Sequence, residues 1–147
     1  INNKKKVIIF VSIGGALLFI IAVILGVLFV PRSIKTSLGI NLEDIEEIYI
    51  EAGFDEKKQY FISENEIESF YKKMNDIHII PTYSHTKSQS SILFVIQTEK
   101  SRFSFCEYYS ITGTNSRKEF NVLDKEDFEQ LYTFFADFNW EDYRKLI

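Results

Sequence analysis

The stretch SILFVIQTEKSRFSFCEYY, residues 91–109, decides the predicted fold. Its first part, residues 92–96, is apolar at every position, which is typical of a strand buried on both faces. Its last part, residues 102–109, alternates between apolar and polar side chains, and the turn-like tripeptide 99–101 separates the two parts. The stretch therefore predicts an antiparallel hairpin, with a central strand and a neighbour whose two faces differ.

Shorter segments on both sides of this hairpin predict further strands. Residues 45–52 alternate, so that Tyr49 and Glu51 lie on the face opposite Ile48 and Ile50. Other apolar segments of strand length are residues 60–62, 77–80 and 120–122. These segments, grouped around the hairpin, predict a sheet that is mainly antiparallel.

The segment after residue 62 predicts an amphipathic helix. Ser63 and Glu66 have the spacing of a capping box, in which the Ser63 side chain accepts a hydrogen bond from the Glu66 amide. Apolar side chains then recur at helical spacing, at Ile67, Phe70, Tyr71 and Met74. We therefore expect a helix over residues 64–75.

A second segment repeats this design 61 positions later. Asp124 is the expected cap, and Leu123 and Phe128 form the expected hydrophobic staple around it. The apolar stripe of this second helix is Phe128, Leu131, Tyr132 and Phe135. The repetition fits an internal duplication, but it also fits the common arrangement of a strand that runs into a capped helix, which we favour.

The order of these elements predicts the fold class. Strands outnumber helices in a mixed order, which indicates an α+β domain over residues 44–147, with two amphipathic helices packed on one face of a mainly antiparallel sheet. Residues 31–43 contain Pro, Ser, Thr, Gly and Asn without sustained periodicity, and are predicted to form a juxtamembrane stem. Eleven Phe, eight Tyr and one Trp beyond residue 30 are enough aromatic side chains for one independent core.

The amino-terminal stretch VIIFVSIGGALLFIIAVILGVLFV, residues 7–30, contains 24 residues without a charge. As a helix it would reach about 36 Å, which is enough to cross a hydrocarbon core of about 30 Å. A cleaved secretory signal is the alternative, but its apolar region would be only about 7–15 residues long, and residues 29–32 are a poor cleavage site. We therefore expect an uncleaved transmembrane helix that anchors the chain in the lipid bilayer, preceded by a short basic tail at residues 1–6.

Charges that flank this stretch predict its orientation. Three lysines at residues 4–6 precede it, while Arg32 and Lys35 follow it. Because basic residues favour the cytoplasmic side, we expect a single-pass protein of the cell membrane with a cytoplasmic amino terminus and the large domain outside.

Small residues within the same stretch suggest a contact with another helix. Ser12, Gly15 and Ala16 are spaced so that they could share one helix face. Small residues are also common in membrane helices that make no such contact, so both interpretations stay open.

Composition excludes several classes of function. The net charge of −4 combines +3 in residues 1–30 with −7 in residues 31–147, and an acidic domain without a basic stripe argues against nucleic acid as a partner. Cys106 is the single cysteine, so an intrachain disulfide framework and a multi-cysteine zinc site are excluded. The two histidines, His78 and His85, are seven positions apart and do not have metal-ligand spacing on a helix. Since Gly-rich phosphate loops and serine elbows are also absent, we expect no catalytic residues, metal or cofactor.

Two features are candidates for binding a partner. The polar loop 82–90, which contains Tyr83 and His85, lies between strong strand signals and is either a binding loop or a simple connection. The sheet face away from the helices is expected to present Tyr49 and Tyr108 among polar groups. Tyrosines in such a setting favour protein contacts, although an ordinary half-exposed sheet face is the alternative.

The overall layout resembles a known kind of protein. The basic tail, the span, and the segments FISENEIESFYKKM (61–74) and VLDKEDFEQLYTFF (122–135) are similar to those of uncharacterised small single-pass envelope proteins of low-GC Gram-positive bacteria. The 21 Ile and 13 Lys against four Ala and four Arg fit an AT-rich genome. The resemblance implies roles such as membrane-anchored immunity proteins, which neutralise secreted toxins, or accessory subunits of envelope machines.

These observations lead to three hypotheses. The first is a non-catalytic binding module on the outer side of the membrane, for example a toxin-neutralising immunity protein, whose acidic domain suits a basic, secreted protein partner. The second is an accessory or sensory subunit of a membrane complex, which acts through its transmembrane helix. The third, an envelope enzyme, has the least support from the residues.

Overall fold

The computed structural model describes residues 3–53, 55–82, 90–113 and 116–144. It divides the chain into two compact units, residues 1–30 and residues 31–147. The first unit is helix α1, Asn3–Leu28. Its part Phe10–Leu28 is long and apolar enough to cross a membrane, by length and composition alone.

The second unit is built on a sheet of eight described strands, in which every neighbouring pair is antiparallel. The strand order across the sheet is β1-β4-β8-β7-β6-β5-β2-β3. The bounds are β1 Arg32–Ser33, β2 Ile45–Ala52, β3 Lys58–Phe61, β4 His78–Pro81, β5 Ile92–Thr98, β6 Arg102–Phe105, β7 Tyr109–Thr112 and β8 Ser116–Val122.

Short helices accompany the sheet, and with it they confirm the α+β class. In the described part of residues 31–147 the α-helices are α2 Ile34–Leu38, α3 Ile67–Asp76, α4 Lys125–Gln130 and α5 Trp140–Arg144. The 3-10 turns are Leu42–Asp44, Glu64–Glu66 and Leu131–Phe134.

The central hairpin is confirmed, with one correction at its end. Strands β5 and β6 pair antiparallel, with Phe94 opposite Phe105. The second strand stops at Phe105 instead of continuing to residue 109, because the chain turns and the Cys106 N–H donates to the Tyr109 carbonyl at 2.9 Å. The turn breaks the alternation that the sequence suggested for residues 106–109.

The predicted side-chain caps are wrong for both amphipathic helices. At the first, the Ser63 side chain makes no capping bond, and the Glu66 N–H instead donates to the Ser63 backbone carbonyl at 2.9 Å. This bond closes a 3-10 turn, so that the α-helix begins at Ile67. At the second, the Asp124 carboxylate does not cap its helix but accepts a hydrogen bond from the His78 N–H at 2.9 Å.

The two strand-helix segments occupy unlike positions, which favours the common-arrangement interpretation over a duplication. Strand β3 is at the edge of the sheet, whereas β8 lies between β4 and β7. Ile62 before the first helix is buried, but Leu123 at the equivalent position is half exposed and therefore does not act as a staple.

The segment 31–43 is part of the folded domain and not a stem. Ser33 pairs with His78 between β1 and β4, and the Ser33 side chain caps α2 by accepting from the Thr36 N–H at 3.1 Å. The apolar side chains of the segment, Ile34, Leu38 and Ile40, are buried in the core. Only three apolar positions do this, which is too few to give a periodic signal in the sequence.

The core is an aromatic cluster on one face of the sheet, with Phe94 of β5 at its centre. The Phe94 ring lies 5.9 Å from Phe70 of α3 and 5.6 Å from Phe128 of α4. It also stacks on Phe105 of β6, with 5.2 Å between ring centroids. Because both helices contact the same ring, their packing closes this side of the sheet. Each fully buried apolar side chain stabilises the fold by about 1.5–3 kcal/mol.

Candidate functional site

The sheet has a second face, opposite the aromatic cluster, which we call the outer face. The strand register aligns Phe61, Tyr49, Val95 and Ser104 in one row across β3, β2, β5 and β6. Since side chains alternate along a strand and Phe94 points into the core, this row points away from it. The sequence prediction of the face on which Tyr49 lies is confirmed.

Exposure differs sharply along this row. Tyr49 is only 7% exposed, and Val95 and Ser104 are buried as well. Phe61 is 53% exposed, and its ring centroid lies 5.1 Å from that of Tyr49. Tyr49 is therefore a support beneath Phe61, and Phe61 is the exposed aromatic side chain of this row.

An ion pair that crosses β5 covers the middle of the outer face. The Arg102 guanidinium on β6 lies 3.0 Å from the Glu51 carboxylate on β2, and its Nε donates to the Tyr49 hydroxyl at 3.5 Å. Because β5 separates these two strands, the Arg102 side chain must extend over Val95. The pair thereby lies over Val95, which is buried although it is on the face opposite the aromatic cluster.

Glu51 stays ionised in this arrangement. Partial burial by itself would raise the pKa of the Glu51 carboxyl, but Arg102 and then Lys57, whose Nζ is 3.4 Å away, lower it by more, so that the pKa lies below its ordinary value. Two cations around one carboxylate leave this group with an excess of one positive charge. The outer face thus combines an exposed aromatic ring with a fixed, positively charged neighbour.

Sequence reasoning missed Phe61, although a signal was present. Tyr60 contacts Phe138 of the core and Ile62 is buried, so alternation alone places Phe61 on the other face. What alternation cannot give is that β3 forms the edge of the described sheet, where a described strand pairs with it on one side only.

Tyr108 does not lie on the outer face. Ile111 pairs with Ser104, so Tyr109, two residues earlier in β7, takes the outer position, and it is covered by the Arg117 guanidinium at 4.0 Å. Tyr108 is half exposed in the turn before β7, beside the ion pair that Glu107 makes with Lys125 at 3.1 Å. Burial and then the Glu107 charge raise the pKa of the Tyr108 hydroxyl, which keeps it protonated. The structure therefore does not bring Tyr108 together with Tyr49.

The loop prediction lies mostly outside the described residues. Tyr83 and His85 both fall in the range 83–89, which the structure does not describe. Their proposed binding role stays a prediction.

Two other side chains that could react, Cys106 and His78, make contacts typical of residues that support the fold. Cys106 is buried, and burial raises the pKa of its thiol, as expected for an unreactive cysteine. His78 Nδ1 lies 3.1 Å from the Asp124 carboxylate, and hydrogen bonds from the His78 backbone and ring lower the pKa of Asp124. Within the described ranges, no three His, Cys, Asp or Glu side chains form a group that could hold a metal ion.

The small residues of α1 lie on one side of that helix. Ser12, Gly15 and Ala16 are spaced by three and four residues, and their stretch of α1 is exposed. A Cβ atom added at Gly15 would meet no atom within 4 Å. This side of α1 would allow the backbone of another helix to approach closely.

Comparison of the chain with protein-family models, with curated proteins and with solved structures finds no match. The candidate site is therefore defined by its own geometry: Phe61 exposed on β3, Tyr49 beneath it, and the Glu51–Arg102 pair beside it.

Proposed function

We propose that this chain is a non-catalytic protein-binding module, anchored in the cell membrane by α1 and carrying its folded domain on the outer side. The observation that supports binding is Phe61, an aromatic ring that is 53% exposed and rests on a buried tyrosine beside Arg102. Aromatic and arginine side chains are the residue types enriched at protein contacts, especially where neighbouring groups hold them in place.

The charge of the domain indicates the kind of partner. Residues 31–147 carry −7, so a basic protein would be attracted and oriented as it approaches. A secreted basic toxin, neutralised at the membrane surface, is one concrete form of such a partner, and would make this chain an immunity protein.

A photo-crosslinking experiment in the native membrane tests the proposal. A photoreactive amino acid replaces Phe61 in the full-length protein, and the same amino acid replaces Leu123 as a control, because Leu123 is 50% exposed and lies on a different part of the domain. We expect one discrete crosslinked protein from position 61 and none from position 123. Equal crosslinking from both positions, or none from position 61, would reject the outer face as the contact surface.

The membrane orientation has its own test. A cysteine introduced at the exposed Asn65 should react with a membrane-impermeant maleimide in intact cells. The native Cys106 is buried and gives little background. Labelling only after the cells are lysed would place the domain in the cytoplasm.

A second candidate function is an accessory or sensory subunit that acts through α1. The exposed side formed by Ser12, Gly15 and Ala16 favours it. Replacing α1 with an unrelated membrane span should leave partner capture by Phe61 intact if the folded domain makes the contact. If this exchange abolishes all partner capture while the Phe61→Ser variant still captures the partner, the second function is favoured.

A further inference from the structure

Among the described strands, β3 is at the edge of the sheet, and its residues Lys58, Gln59 and Phe61 are exposed. No described strand lies beyond it, and the only described strand that pairs with it is β2. The Ile62 N–H donates to the Ile48 carbonyl at 3.0 Å, and the same register pairs Tyr60 with Ile50. Because backbone groups alternate in direction along an antiparallel strand, the N–H and C=O groups of Gln59 and Phe61 point away from β2.

These four backbone groups form a regular pattern. Two donors and two acceptors repeat every second residue, about 6.8 Å apart along an extended chain, which matches the spacing of another β-strand. The exposed Phe61 ring lies on the outer face of this edge, and the exposed Lys58 lies on the same strand with its side chain on the other face.

We infer that the edge of β3 accepts an extended segment of the partner protein as an added strand, with an apolar side chain beside Phe61 and an acidic side chain beside Lys58. This inference rests on the proposed function and specifies how the partner is bound. Main-chain hydrogen bonds to Gln59 and Phe61 supply affinity, and the alternating side chains of the segment supply selectivity.

Charge distinguishes this occupant from a second copy of the chain. Two copies would each bring −7 in residues 31–147, and they would repel one another. A lysine on an edge strand is also a common device against pairing with identical edges. The net charge of the domain attracts a partner that is basic as a whole, whereas Lys58 selects an acidic side chain only in the segment that lies beside β3, and both attractions are screened beyond about 8–10 Å at physiological salt.

Amide hydrogen exchange on the full-length chain in lipid nanodiscs tests the inference. The probe is an octapeptide of alternating valine and glutamate, which places valines on one face and glutamates on the other when extended. We expect it to slow exchange at the Gln59 and Phe61 amides by about tenfold or more, since new backbone hydrogen bonds protect those groups. The same peptide with lysine in place of glutamate, or with a fully N-methylated backbone, should give no protection.

Two variants control for loss of folding. Gln59→Pro removes an outward N–H but none of the N–H groups that pair with β2, and proline is tolerated on edge strands in this position. It should abolish the protection at Phe61, while Gln59→Ala should retain it. Lys58→Glu leaves the backbone unchanged and should transfer the preference to the lysine peptide.

Three outcomes would overturn the inference. These are protection confined to other strands, equal binding of the N-methylated peptide, and protection of Gln59 and Phe61 that rises with protein concentration in the absence of peptide, which would indicate a second copy. A further outcome separates the inference from the proposed function: if the photoreactive amino acid at position 61 still crosslinks the partner in the Gln59→Pro variant, the outer face binds protein without strand addition, and only the inference fails. Peptide protection without any crosslinked protein would reject the proposed partner and leave the edge chemistry standing.

Discussion

Neighbouring residues at the centre of β5 show how differently the two faces of the sheet are closed. Phe94 and Val95 are both fully buried. Phe94 is covered by aromatic rings that come from other elements, among them Phe70 and Phe128. Val95 lies under the Glu51–Arg102 ion pair, which spans β5 between β2 and β6. One face is thus closed by tertiary packing, and the other by an ion pair that water still reaches.

This difference has an energetic consequence. Removing a ring from the aromatic cluster leaves a cavity, since the helices around it relax only in part. Removing the Glu51–Arg102 pair leaves no enclosed cavity and costs little stability, because the Arg102 side chain is already 44% exposed and solvent screens its charge. The inner face should therefore determine stability, while the outer face should be free to change its contacts when a partner arrives.

The largest expected effect is that of a cavity beneath the helices. Phe94→Ala should lower the free energy of unfolding by about 3–5 kcal/mol, and Val95→Ala, the matched control on the outer face, by roughly 1.6 kcal/mol for two methylene equivalents. Denaturant unfolding of the full-length chain in detergent can be followed by Trp140, the single tryptophan, which stacks on Tyr132 at 4.2 Å. Since alanine removes six carbon atoms from Phe94 but only two from Val95, equal losses for the two variants would mean that the outer face is packed more tightly than the inner face, which would contradict this comparison.

A smaller effect is expected from the ion pair. A double-mutant cycle with Glu51→Gln and Arg102→Gln should give a coupling free energy of about 0.2–1 kcal/mol, which decreases in high salt. The fully exposed pair of Lys72 and Glu68 on α3 serves as the control, and its coupling should be weaker. A coupling of several kcal/mol for the outer pair would contradict the view that solvent screens it.

The dependence of stability on pH provides a second test of the Glu51–Arg102 pair. The pKa of Glu51 is lower in the folded protein than its ordinary value of about 4.3. Its contribution to stability is therefore complete above that ordinary value and is lost as the pH falls through the lower, folded-state pKa. Unfolding at pH 7 and at pH 3 should show that the wild type loses more stability on acidification than Glu51→Gln, by less than about 1 kcal/mol because of screening. An identical loss in both proteins would remove Glu51 from the acid-sensitive groups.

The two faces also differ in what the sequence could predict. The inner face follows from local periodicity: the stripes that begin at Phe70 and Phe128 needed only their own segments to be recognised. The outer face depends on distant residues, since Tyr49 is held by Arg102, which is 53 positions away along the chain. Alternation placed Tyr49 on the correct face, but its burial required the sheet order, which no local pattern contains.

The same reason explains the errors at the ends of elements. Asp124 has the right type and spacing for a helix cap, yet the His78 N–H, 46 positions away, competes for its carboxylate. The segment 31–43 has too few apolar residues for a periodic signal, and its fold becomes evident only when β1 pairs with β4. At Asp124 a long-range contact overrides a local propensity, and in the segment 31–43 it supplies structure for which there is no local signal.

The smallest expected effect on stability comes from the residue to which we assign the function. Phe61→Ser should change the free energy of unfolding by only about 0.5–1.5 kcal/mol, the contribution of one aromatic pair at a surface, because more than half of the ring is already exposed. Tyr49→Ser, beneath it, should cost more, since that ring is nearly fully buried. Partner capture should not follow stability: although Phe61→Ser has the smaller effect on the free energy of unfolding, it should lose the partner while the fold is retained. If Phe61→Ser unfolds the domain as readily as Tyr49→Ser, the ring stabilises the sheet edge, and its exposure is no evidence of binding.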